Sequence, residues 1–158
     1  IYRFFSKPRI VMILGLTTIA LQFDGPGAGV AFLLGRLLFG LVLAFMGLNH
    51  LLNVDDMTGY AEAKGLPAAR FNVVASGVTL GVGGLGIAAG VYPTVAAGAV
   101  ATFLVVATPT MHDFWAVPAD QQQSEMTDFL KNVALLGGAL VFLALSNAAW
   151  PYGLGVGL

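Results

Sequence analysis

Residues 71–112, FNVVASGVTLGVGGLGIAAGVYPTVAAGAVATFLVVATPTMH, contain no Asp, Glu, Lys or Arg. A water-soluble domain needs charged surface along its whole length, so an uncharged run of this extent argues for a bilayer. As one helix the run would extend roughly 63 Å at 1.5 Å per residue. The hydrocarbon core is only about 30 Å thick, so the run must fold back once. Tyr92-Pro93-Thr94 stands near its middle and supplies the break, because proline cannot donate the helical hydrogen bond. Two spans follow, residues 71–91 and 95–111. Working outward, residues 30–52 form a third span, interrupted only by Arg36, and residues 129–150 a fourth. Uniformly apolar runs of this length do not fit the weak alternation of a membrane barrel. The expected architecture is all-α, a transmembrane four-helix bundle.

Before this core, Ser6-Lys7-Pro8-Arg9 reads as a helix start, followed by the apolar residues 10–23 and the break Asp24-Gly25-Pro26-Gly27. At about 21 Å of helix this is short for a span. Charge decides for a crossing. If it crosses, Arg3, Lys7, Arg9, Lys64, Arg70 and Lys131 share one face; if it does not, they divide evenly between two. The positive-inside tendency favours the first arrangement. The sequence therefore predicts an additional N-terminal membrane segment within residues 1–29, a core over residues 30–150, and a single domain over 1–158. It predicts a multi-pass protein of the cell membrane, with the N-terminus and the loops 53–70 and 112–128 in the cytoplasm.

Net charge is −1 with no basic block, so no nucleic-acid partner is expected. The absence of cysteine removes disulfides, thiolate catalysis and cysteine-ligated metals. Within the first loop, residues 56–64 read as a short surface helix closed by Gly65, with Pro67 opening the next span. In the second, Asp120 and Gln123 resemble a capping box, so the last helix is expected to begin outside the membrane. Gly77 and Gly81, Gly86 and Gly90, Gly137 and Gly138, and the small residues 96–101 mark faces where helices approach closely.

Polar groups inside spans are costly and point to function. Arg36 lies about two turns inside its span, suited to an anionic lipid headgroup or to snorkelling towards the outer interface. At the opposite end, Asn49 and His50 close one span, His112 and Asp113 close another, and Lys131 and Asn132 open the last. With Trp115 these form the candidate ligand-binding cluster on one face. Its readings are a bis-histidine haem or metal site, an interfacial polar layer, and a pocket for a polar head such as a quinone ring. Interfacial depth and the thin ligand set weigh against metal and covalent cofactor, and no catalytic residue is assigned. Within the cluster, Lys131 is the expected partner of Asp113, and Lys64 is expected to be a solvated charge.

The segments Gly35-Arg36-Leu37-Leu38-Phe39-Gly40, Met46-Gly47-Leu48-Asn49-His50, His112-Asp113-Phe114-Trp115 and Lys131-Asn132-Val133-Ala134-Leu135-Leu136-Gly137-Gly138 resemble the DoxX family of small integral membrane proteins. The resemblance runs over residues 31–145 and looks closest to archaeal members. It implies a four-helix membrane bundle associated with membrane redox complexes. Members often carry a glutamate early in the second core helix, before a Gly-Gly pair; here Thr79 and Leu80 stand in that stretch. The resemblance therefore implies a non-catalytic or quinone-proximal accessory subunit of a redox assembly, in contact with other membrane or respiratory subunits or with copies of itself. The alternative is a stand-alone lipid- or isoprenoid-binding or structural membrane protein. Either way, any ligand is a quinone or a bound lipid.

Overall fold

The computed structural model describes Phe23 and residues 25–157. The expected N-terminal segment, residues 10–23, lies outside the described residues except for Phe23. Five helices follow: α1 (Ala28–Leu52), α2 (Val54–Ala63), α3 (Ala69–Ala89), α4 (Pro93–Met111) and α5 (Ala119–Ala144). All but α2 are long and apolar enough to cross a membrane. The molecule has a loop end, carrying α2 and the α4–α5 connection, and a turn end, carrying the α3–α4 reversal.

That reversal is sharp. Gly90 closes α3 at φ 68°, Tyr92 stands at φ 44°, and Pro93 opens α4 at its first helical position. Proline's fixed φ and missing N–H suit it to that position.

The spine of the bundle is the pairing of α1 with α3, built from small residues on both helices. A Cβ added at Gly47 would run into the backbone of Gly77 and Gly81, and one added at Gly84 into that of Gly40 and Ala44. No apolar driving force between helices exists in lipid, so such backbone contact supplies the association through dispersion. Gly77 and Gly81 are thus used as expected, against Gly47 of α1; Gly40, two turns before Gly47, meets Gly84 instead. Gly86 meets Ala96 of α4, whereas Gly137 faces open space. Leu43, Leu80, Ile87, Ala97, Val100 and Leu104 fill the centre.

Two expectations are corrected. The last helix ends at Ala144, short of Trp150. Residues 145–156 turn back across the turn end, held by Leu154 N–H to the Ala89 carbonyl (2.9 Å) and Tyr92 N–H to the Val156 carbonyl (2.7 Å). The Trp150 indole N–H donates to the Leu145 carbonyl (2.8 Å), capping an acceptor that the end of α5 leaves free. Its ring joins Phe32 and Phe142, 5.2 and 5.8 Å away between centroids. At the other end of α5, Asp120 forms no capping box: Pro118 is the cap and Asp120 lies in the first turn, where its charge favours the helix dipole. The helix does begin well before its apolar part, as expected.

Candidate functional site

From the loop end to Thr94 and Val95 at the start of α4, the helices line an open-sided cavity of about 990 Å³. Its walls come from α1, α3, α4 and α5, and α2 lies across its end. The lining is mostly apolar, with polar groups that include His50, Ser76, His112, Asn132, Tyr60 and several threonines.

On one wall His50 Nδ1 lies 3.0 Å from Ser76 Oγ. The serine hydroxyl donates its single proton to the Val73 carbonyl at 2.8 Å, so its oxygen is left to accept. Nδ1 is then the donor, and Nε2 of the neutral ring is an acceptor without a partner among the described residues. Thr79 contributes a hydroxyl to the same lining, and the buried Leu80 adds an apolar side chain to it.

The opposite rim is an ionic network. Lys64, at the C-terminus of α2, donates to Asp113 Oδ1 (2.7 Å) and Glu125 Oε1 (3.3 Å). Glu125 Oε2 meets His112 Nδ1 at 2.9 Å, and the Tyr60 hydroxyl reaches the Met111 carbonyl at 3.3 Å. The Lys64 hydrogen bond holds the Asp113 carboxyl below the usual carboxylate range. Burial works against ionisation of Glu125, yet hydrogen bonds from His112 and Lys64 outweigh it and lower its pKa. Burial likewise opposes the Lys64 charge, and its hydrogen bond to Asp113, the Coulombic influence of Tyr60 and the bond to Glu125 more than offset it, raising its pKa. Burial and the neighbouring Glu125 carboxylate push the Tyr60 hydroxyl up.

The candidate cluster therefore divides. His50, His112 and Asn132 line the cavity, and Asp113 closes its rim. Asn49 is exposed and engages only Asn53, one turn on. Lys131 is the correction. It pairs with Asp128 on its own helix, with 67% of its side chain exposed, and Lys64 takes Asp113 instead. The reason is helical phase: Glu125 and Asn132, seven positions apart, share the inward face of α5, and Lys131 is rotated off it. Trp115 is exposed and stacks edge-on with Phe114 and Phe129, the arrangement of an interfacial aromatic anchor. Sequence reasoning passed over Tyr60, Lys64, Ser76 and Glu125. The signal for Glu125 was its heptad spacing from Asn132; Lys64 offered none, because α2 is placed by tertiary contacts. The two histidines are committed to different partners, and among the described residues no three ligating side chains converge on one point.

Arg36 does not snorkel. It is 1% exposed, its guanidinium 5.9 Å from the centre of the Trp150 ring, with Gly90 and Gly153 leaving it room. Its Nε and Nη1 have no hydrogen-bond partner among the described residues.

The DoxX family model matches residues 31–113, from the first turn of α1 to the end of α4. The chain belongs to the DoxX family. With four helices apolar enough to span, this DoxX protein is a multi-pass membrane protein. The matched stretch contains the His50–Ser76 wall and the Lys64–Asp113 pair. Helix α5, with Glu125, Asn132 and the Lys131–Gly138 string, lies beyond it. No curated protein and no solved structure matches the chain.

Proposed function

We propose that this DoxX protein is a non-catalytic subunit of a membrane redox assembly that holds a quinone, ring towards His50 and isoprenoid tail along the apolar lining. The observation that supports this most is the cavity: large and mostly apolar, with His50 and Ser76 on one wall and Tyr60, His112 and Asn132 elsewhere in the lining. Ligand cavities typically span about 300–1,000 Å³, so this one admits a ring and part of a tail. His50 Nε2 suits the hydroxyl of a quinol, and the Asn132 amide suits a carbonyl oxygen of a quinone. The lining holds no carboxylate. With no cysteine, thiol transfer is outside its means, and we assign electron delivery to a partner subunit.

The loop end faces the cytoplasm in this proposal, because Lys64, Arg70 and Lys131 all lie there. An anionic headgroup at Arg36 is a separate proposal, supported by its two unpaired nitrogens.

The experiment is purification from native membrane in mild detergent, with quantification of every extracted lipid and co-purifying chain by mass spectrometry. Near-stoichiometric quinone, lost in His50→Leu, together with a redox partner, is the expected result. Phospholipid alone and no partner would replace this reading with a stand-alone lipid holder.

A further inference from the structure

The cavity has two sides of different chemistry. Across its aqueous end lies α2, whose Met57, Tyr60 and Ala61 form part of the lining. A ten-residue helix is too short to be stable alone in water. It is fixed by its apolar underside, where Ala61 packs with Ala69 and Val73, and by Lys64, which bridges to Asp113 and Glu125. That bridge closes the seam between the end of α2 and the ends of α4 and α5.

On the membrane side no such seal exists among the described residues. Met46 of α1 and Thr102, Val106 and Thr110 of α4 line the cavity and are also exposed on the outside of the bundle. The hydroxyls of Thr102 and Thr110 turn back to the carbonyls of Gly98 (2.8 Å) and Val106 (2.6 Å). Bonded to its own helix in this way, a threonine shows its methyl group to the surroundings. The flank of the cavity is therefore greasy, and its aqueous end is closed by an ionic latch.

We infer that the cavity is loaded sideways from the bilayer, and that α2 is a latched lid keeping water and water-borne solutes out. This rests on the proposal that the occupant is a membrane amphiphile, which then never has to bring its tail through water. A soluble substrate would have to break the Lys64 bridges and cross an apolar wall without its hydration shell.

The absence of cysteine makes the test direct. Thr79→Cys places one thiol in the cavity lining, and Gly59→Cys, where a side chain meets nothing within 4 Å, places one on the outside of α2 as reference. Each is reacted in phosphatidylcholine nanodiscs with two maleimides, one carrying a dodecyl chain and one a sulfonate. Relative to Gly59→Cys, the thiol at position 79 is expected to react at least tenfold faster with the dodecyl reagent. Adding Lys64→Ala raises the sulfonate rate at least threefold and leaves the dodecyl rate within twofold; Lys131→Ala changes neither. Should Lys64→Ala not fold, Glu125→Gln, which removes one arm of the latch, carries the same comparison. Equal normalised rates in the parent overturn bilayer loading, and a sulfonate rate indifferent to both latch variants overturns the lid. Labelling reports the route whatever occupies the cavity, so a purified protein without quinone that keeps this pattern removes the quinone and leaves the route standing.

Discussion

Lys64 and Asp113, 49 positions apart, form a 2.7 Å ion pair that fastens the surface helix α2 to the end of α4. Only 14% of the lysine side chain and 28% of the aspartate side chain are exposed, so the pair is shielded from solvent far better than Lys131–Asp128. Shielding decides what such a pair contributes. Lys64→Ala is expected to cost roughly 1.5–3 kcal/mol, the range for hydrogen bonds to charged groups. The exposed Lys131→Ala should cost less than about 1 kcal/mol. Thermal melting of both variants in the same detergent checks the difference, and equal midpoints would count against the latch.

The same network fixes the acid limb of stability. Asp113 and Glu125 both titrate below their ordinary values, so the native state binds fewer protons there than the unfolded chain. Their contribution is complete above the ordinary carboxylate range and is lost as pH falls through the lowered values. Lys64 is shifted the other way, and its contribution is lost only as pH rises through its raised value. Melting midpoints measured against pH should form a plateau between these limits. Glu125→Gln should flatten part of the acid limb.

At the spine, Gly47→Ala puts a methyl group into the backbone of Gly77 and Gly81, which cannot rotate away as a side chain would. Overpacking of this kind typically costs about 1–3 kcal/mol. Gly137→Ala, which meets nothing within 4 Å, should be neutral or slightly stabilising, since glycine is a poor helix former. Melting the two variants side by side tests whether backbone contact or composition matters.

The orientation is checked by labelling intact cells. Gly59→Cys on α2 should be inaccessible to a membrane-impermeant maleimide from outside, and Gly25→Cys, before α1, should react. Both positions are exposed. Equal labelling would reverse or remove the proposed topology.

The spans were legible because charge-free runs and a central proline are strong signals. The chain reverses at Pro93 as the sequence predicts, and α1, α3 and α4 each begin two residues before the expected positions. The C-terminal turn-back was not legible, since the apolar run reads as one span continuing to Trp150 until its indole is seen capping Leu145. In the site, His50 and His112 were identifiable as rare polar residues at span ends. Their partners were not, because Ser76 and Glu125 are common residue types whose importance depends on the face they share with the cavity. The Lys131 error has the same origin. Proximity along the sequence to Asn132 says nothing about direction, and one residue on a helix is a rotation of about 100°.

The interlocked glycines of α1 and α3 also divide the molecule mechanically. Where two backbones touch, there is no side chain between them to change rotamer and let the helices slide. That pair therefore behaves as a beam of fixed width. The His50–Ser76 bond, which runs across this beam, sits on its stiffest part. Any change in the volume of the cavity has to come from the wall opposite, where α4, α5 and α2 meet through larger side chains and an ionic clasp. The wall bearing His50 and Ser76 is thus the stator, and the wall bearing Lys64, His112 and Glu125 is the part that gives.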